Sequence, residues 1–353
     1  MVKAKIAFLH GPHDLRVQEV ALSDPRPNEV LIKLKAAGIC GSDVECFEGK
    51  SGEGRYDLGP YTPGHEWSGE VAAIGKEVTT VKVGDKVTGD CVLNCFRCEN
   101  CKRGLMPAAC LQFREVGFRP DSPGGMGEYM LLEEPYVHRF PQSWSFEEGA
   151  LVEPFSVGYY GVWGPGGHVE AGDDVVVFGS GTIGLTVLVV CKAAGAKVIV
   201  IEPLANRQEY AWKLGADVVI DPSQVDNLAA EVGKHTTTSR GATLVVEASG
   251  NDKAIASMFD VAGLQPRVRM IGHSVGRKVP VEIGKTIWRG ISIYGQGGIS
   301  YFMPRTITFM DRIRDKVDLT GLISHRYPFE RIHDAFQVAV EKKAEALKVM
   351  LDI

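Results

Sequence analysis

Basic excess is the first thing this chain lacks: 39 lysines and arginines stand against 44 aspartates and glutamates, a formal net charge of −5. Without a basic run there is no electrostatic footprint for nucleic acid or an anionic membrane surface, so small molecules are the expected partners. An export signal is missing as well, because the apolar stretch 6–9 closes at His10, too brief for a signal-peptide core. A cytoplasmic location is therefore expected. Residues 175–201 approach membrane-spanning length, but Gly179, Gly181 and Gly184 interrupt them, and Lys192 and Lys197 would lie unpaired in lipid. Internal repeats and low-complexity linkers are absent too, which leaves an ordinary globular protein.

At 353 residues, with 44% hydrophobic and 24% charged content, the chain exceeds one ordinary core and suggests two domains. Its cysteines are few but concentrated: four of the eight are Cys95, Cys98, Cys101 and Cys110. Two-residue gaps let successive thiolates curl toward one ion, and tetrahedral zinc accepts four sulfurs, so the spacing predicts a structural zinc lobe. Disulfide pairing is the alternative.

A second motif lies in the apolar stretch. Residues 175–178 read as a strand buried on both faces, Gly179-Ser-Gly181-Thr-Ile183-Gly184 follows at once, and 185–194 predict a helix ended by Gly195. That order is a dinucleotide-binding fingerprint. The first glycine permits the tight turn, the second lets backbone N–H groups approach a pyrophosphate, and the third lets helix and strand pack closely. The next strand, 198–201, ends at Glu202, whose carboxylate can bond a ribose 2′-hydroxyl but repels a 2′-phosphate. NAD is favoured over NADP, although Arg207 lies close enough in sequence to blur the preference.

The α/β alternation continues. Helices are predicted over 207–214, 228–232 and 253–261, and strands over 217–220, 243–247, 268–271 and 291–294, which makes about six strands for a doubly wound parallel sheet. This domain is placed at 156–295. Before it the chain is β-rich and heavily punctuated, with short strands over 29–34, 70–74 and 86–88. After it, Ile332, Phe336 and Val340 make one helical face, and Leu347, Val349 and Leu351 alternate as in a strand. That tail is too short to fold alone. It is expected to return to the N-terminal part, joining 296–353 to 1–155.

The segments GICGSD (38–43), PGHEWSGEV (63–71), VKVGDKV (81–87), the cysteine lobe, ALVEPFSVG (150–158) and the glycine fingerprint occur in an order that resembles the zinc-dependent medium-chain alcohol dehydrogenases. ALVEPFSVG and the ending LISHRYPFERIHDAF are most similar to the sorbitol and polyol dehydrogenase branch. The resemblance covers essentially the whole chain. It implies a partly barrel-like, GroES-like catalytic domain, a Rossmann domain, two zinc ions, a homodimer or homotetramer, and NAD-linked oxidation of a secondary hydroxyl in a sugar alcohol, cyclitol or sugar. Oxidation of an amino alcohol or of an aldose is the alternative within the enzyme class, and a non-catalytic relic of the fold is a third.

By resemblance, the catalytic zinc falls to Cys40 and His65, with Glu66 and Glu153 competing for the third place. Ser42 matches the family's proton-accepting hydroxyl. Glu45 stands where many relatives have histidine as the outer relay, and a carboxylate there can pass the proton, bind a substrate hydroxyl or ammonium, or be a solvated loop acid. Ile271-Gly272-His273 and Gly295-Gln296-Gly-Gly-Ile299 bring backbone close to the nicotinamide. The second of these replaces the arginine and aromatic usual in the polyol branch, which leaves Phe47, Phe113 and Gln296 as candidate substrate contacts. One residue more than usual separates Cys101 from Cys110, so a bulged loop is expected and Cys91 is a possible substitute ligand in the lobe.

Overall fold

A computed structural model describes residues 1–50, 55–105, 107–164, 166–272, 278–298, 302–341 and 345–353. His273 and Ile299 lie outside the described residues. The chain divides into two compact units, Met1–Glu153 with Gly298–Ile353, and Pro154–Gly297. One boundary falls inside the helix Val152–Trp163.

The first unit is built on a seven-stranded sheet whose centre is the long strand Glu29–Ile39. Strand Glu66–Ile74 pairs with it antiparallel along most of its length. Tyr129–Glu133 takes the first part of that central strand, and the last strand, Lys348–Asp352, takes the end, pairing Val349 with Ile39. The C-terminal tail thus completes the sheet formed by the N-terminal segment. Two residues in register, Gly38 and Glu66, show why the sequence must read as it does: a Cβ on Gly38 would stand 2.2 Å from Glu66 Oε2. The core on this sheet includes Ile32, Leu34, Trp67, Val71 and Phe336, all essentially inaccessible. Each fully buried aliphatic side chain contributes about 1.5–3 kcal/mol. The expected 29–34 and 70–74 strands are therefore the right places but too short. Lys35, at a register irregularity between Leu34 and Ala36, and Glu66, Ser68 and Gly69 interrupt the apolar alternation where the strands continue.

In the second unit, six parallel strands lie in the order Val218–Ile220, Lys197–Ile201, Asp174–Phe178, Ala242–Glu247, Ala262–Met270 and Ser292–Gly295. Order reverses beside Asp174–Phe178, the switch point at which doubly wound sheets place a ligand. Val175, Val176 and Val177 are wholly buried, as a strand covered by helices on both faces requires. The helix expected over 253–261 is shorter, Asp252–Ser257, and the chain enters the next strand at Ala262 instead of Val268. Val261 and Ala262 are fully buried, and burial here outweighs helical spacing. No helix among the described residues is long and apolar enough to cross a membrane.

Candidate active site

The strand Glu29–Ile39 runs directly into the helix Gly41–Phe47, with Cys40 at its N-cap. Asp43, in the first turn, folds back to accept the Cys40 backbone N–H at 2.9 Å and the Gly64 N–H at 3.2 Å. This one buried carboxylate ties the Cys40 turn to the turn carrying His65. Gly64 has φ +96°, a conformation that glycine adopts without strain, and it delivers His65 to the start of the strand Glu66–Ile74. His65 is buried, stacks on Phe118 with ring centroids 5.2 Å apart, and holds Nδ1 3.9 Å from Asp43 Oδ1.

Two sets of donor atoms converge on His65. Cys40, His65 and Glu66 form one, and His65, Cys91 and Glu153 form the other, with the ligand atoms of each set within 4.8 Å of one another. Glu66 is the better anchored carboxylate. Lys348 Nζ reaches its oxygens at 2.6 and 2.5 Å and the Ile39 carbonyl at 3.1 Å, deep in the sheet. Glu153 lies in the first turn of the helix Val152–Trp163 and is also buried. Burial pushes its pKa up to about 7, and the Glu66 charge adds to the rise while His65 opposes it. Burial works against a proton on His65, yet Asp43, Cys40 and Glu153 outweigh it and raise its pKa.

Ser42 and Glu45, three residues apart on the same helix, share a face, and both are half-buried. Phe47, a candidate substrate contact in the sequence, belongs to the core instead, packed on Phe336 at 5.0 Å and edge-on to His13 at 4.9 Å. Phe113 follows the cysteine lobe, where its N–H bonds the Cys110 carbonyl.

The lobe holds all four expected thiols together. Cys95, Cys98, Cys101 and Cys110 offer sulfurs within 4.8 Å of one another, with Cys98 and Cys101 at 3.4 Å. Tetrahedral Zn–S bonds of ~2.3 Å imply sulfur separations of ~3.8 Å, so the donors suit that ion. Backbone N–H groups of Cys101 and Leu111 pull the Cys98 thiol down to about 6. All eight cysteines are free. A one-turn 3-10 helix, Pro107–Ala109, lies just before Cys110. The suggestion that Cys91 substitutes in this lobe is corrected: four cysteines already gather there, and Cys91, in the link between the strands Lys86–Gly89 and Val92–Leu93, stands with His65 and Glu153 instead.

In the second unit the fingerprint has the geometry its glycines predict. Gly179 turns at φ +89°, Gly181 caps the helix Thr182–Ala193 with Ile183 in its first turn, and a Cβ on Gly184 would strike the Gly179 carbonyl at 1.9 Å. Glu202 ends the next strand, buried, and accepts the Ser180 N–H at 2.8 Å, the Ser180 hydroxyl at 3.1 Å and the Leu204 N–H at 3.0 Å. Its carboxylate therefore braces the glycine turn. Arg207 brings its guanidinium to 3.9 Å from where a Gly181 Cβ would be. Ile271 and Gly272 both donate N–H to the Glu247 carbonyl, while the Gln296 side chain joins Arg269 at 3.2 Å and the Val157 carbonyl at 3.1 Å.

Sequence reasoning passed over Asp43 and Lys348. Asp43 lay inside a quoted motif, and Lys348 is a buried charge at the start of the strand Lys348–Asp352, ahead of the apolar Val349, Met350 and Leu351, a signal that marks a buried partner.

Comparison with known proteins adds the following. The alcohol dehydrogenase GroES-like domain family matches residues 26–142, and the zinc-binding dehydrogenase family matches residues 182–312. A sorbitol dehydrogenase of Bacillus subtilis (strain 168) is 33% identical over 98% of this chain and 96% of its own length. An L-threonine 3-dehydrogenase of Rhizobium etli is 30% identical, over 96% and 95% respectively. Among solved structures, a zinc-binding dehydrogenase of Sinorhizobium meliloti 1021 bound to NADP superimposes with a TM-score of 0.89 at 26% identity, covering 100% of both chains.

Proposed function

The chain belongs to the zinc-binding alcohol dehydrogenase family, and on that premise we propose that it transfers hydride from the secondary carbinol of a polyol, cyclitol or related sugar to NAD. The products are the ketone, NADH and one proton. The observation that carries this reading is the gathering of the Cys40 thiol, the His65 imidazole and the buried Glu66 and Glu153 carboxylates with their donor atoms within reach of one ion. His65 Nδ1 is buried there without a hydrogen-bond partner, and the mixed sulfur, nitrogen and oxygen donors suit zinc.

Cys40 and His65 would hold a catalytic zinc with Glu66 or Glu153, and Cys95, Cys98, Cys101 and Cys110 a structural one. When bound, the catalytic ion supplies Lewis acidity, which lowers the pKa of the substrate hydroxyl. Ser42 accepts the hydroxyl proton and Glu45, on the same helix face, passes it outward. Asp43 orients His65 and Lys348 fixes Glu66. Gly179, Gly181, Ile183 and Gly184 cradle the pyrophosphate of NAD, while Glu202 receives the ribose with Arg207 beside it; Ile271, Gly272 and Gln296 border the nicotinamide. We assign catalysis to residues 1–155 with 296–353 and NAD binding to 156–295, a division supported by the two compact units.

A second reading, oxidation of an amino alcohol, is favoured by the likeness to threonine dehydrogenase and by Glu45, whose carboxylate suits an ammonium. We further propose a cytoplasmic homo-oligomer. Its support is the edge strand Ser292–Gly295, exposed throughout, beside Ile287 and Trp288, which are 84% and 88% exposed.

The test is NADH absorbance over a panel of polyols, cyclitols, sugars and L-threonine, with NAD and NADP in parallel and with zinc counted per chain. Turnover of a polyol, cyclitol or sugar with NAD, at about two zinc ions, is the expected result. Turnover of threonine alone selects the second reading. No turnover at about one zinc ion overturns both in favour of a relic.

A further inference from the structure

Cys91 has no part in the mechanism above, yet its thiol is buried. It occupies the short link between the strands Lys86–Gly89 and Val92–Leu93, and its carbonyl receives the Val116 N–H at 2.8 Å, which pins the turn. Its sulfur lies within 4.8 Å of donor atoms on both His65 and Glu153, and those two lie equally close to each other. Zinc with bonds of ~2.0–2.3 Å spans donors ~3.3–3.8 Å apart, so a small contraction closes this triad on one ion.

The competing triad carries an electrostatic handicap. Both Glu66 oxygens are engaged by the Lys348 ammonium at 2.5 and 2.6 Å, so an ion drawn onto Glu66 meets a second positive charge across one carboxylate in a low-dielectric interior. The His65, Cys91 and Glu153 side carries a thiol where the other side carries Cys40, and its carboxylate comes from a different element. Both sides share His65.

From this we propose that Cys91 is a direct ligand of the ion held by His65, forming with Glu153 a second ligand triad beside the one that contains Cys40. The inference rests on the metal reading given under Proposed function. A further thiolate makes the donor set softer, which favours zinc over manganese or magnesium.

The experiment is cadmium-113 NMR of the full chain loaded with cadmium, in which each added thiolate ligand moves the resonance downfield. Two resonances are expected, a far-downfield one from the four-cysteine lobe and one from the His65 centre. In Cys91→Ala and in Cys91→Ser the second resonance should move upfield while the lobe resonance stays in place, reporting that the fold is intact. Zinc should also pass to a competing chelator at a chelator concentration at least about tenfold lower than in the parent protein, since losing even an outer-shell partner costs that much affinity. A His65-centre resonance and chelator profile unchanged in both variants overturn the Cys91 assignment alone. A parent protein showing only the lobe resonance overturns the metal reading and this inference together.

Discussion

Lys348 shows how much a single residue decides in the catalytic unit. Its ammonium is buried with Glu66 and bonds both carboxylate oxygens and the Ile39 carbonyl, so neither charge is solvated and each depends on the other. Removing one member of such a pair leaves an uncompensated buried charge, which costs about 3–5 kcal/mol. Lys348→Met is therefore expected to lower unfolding stability by that amount in urea denaturation, and Lys348→Met with Glu66→Gln to recover most of the loss. If the double variant is no more stable than the single one, the pair is not the source. At the same scale, Asp43 holds two turns together through the Cys40 and Gly64 N–H groups, so the position of His65 is set by a side chain that touches no substrate.

At the scale of elements, the strand, turn and helix that open the second unit act as one device. Gly184 lies so close to the Gly179 carbonyl that any side chain forces the helix Thr182–Ala193 away from the strand Asp174–Phe178. Gly184→Ala is expected to weaken NADH binding at least tenfold, measured by fluorescence titration, because the N–H groups of the helix start then no longer face the pyrophosphate. Unchanged affinity would show that the turn does not hold the cofactor. Glu202 belongs to the same device, since it bonds Ser180 within the turn as well as offering its carboxylate to a ribose.

At the scale of the whole molecule, the exposed apolar surface of the second unit bears on the proposed assembly. Ile283, Ile287 and Trp288 are exposed around the helix Gly284–Arg289, next to an unpaired strand edge in the same unit. Burying such a patch against a second copy removes both the apolar area and the open edge. Replacing Ile287 and Trp288 together by glutamate is expected to reduce the sedimenting mass to that of one 38.3 kDa chain. A parent protein that already sediments as a single chain refutes the assembly.

Much of this protein was legible in sequence because local rules act over a few residues. Thiol spacing predicted the lobe, and strand, glycines and helix in succession predicted the cofactor turn. The lengths of the catalytic-unit strands were not legible, since polar residues tolerated on one face blur the apolar alternation there. Resemblance alone marked Cys40, His65, Glu66 and Glu153 as the proposed metal centre and left Cys91 and Lys348 out of it, because these residues are scattered along the chain and no local preference records their meeting. Sequence by itself determined which short segments turn, bind or curl around an ion, because those choices are made by neighbouring backbone and side chains. Only the tertiary structure decided that Cys91 leaves the lobe for His65 and that Lys348 neutralises Glu66, because sheet register and the burial of charge are settled by residues distant in sequence.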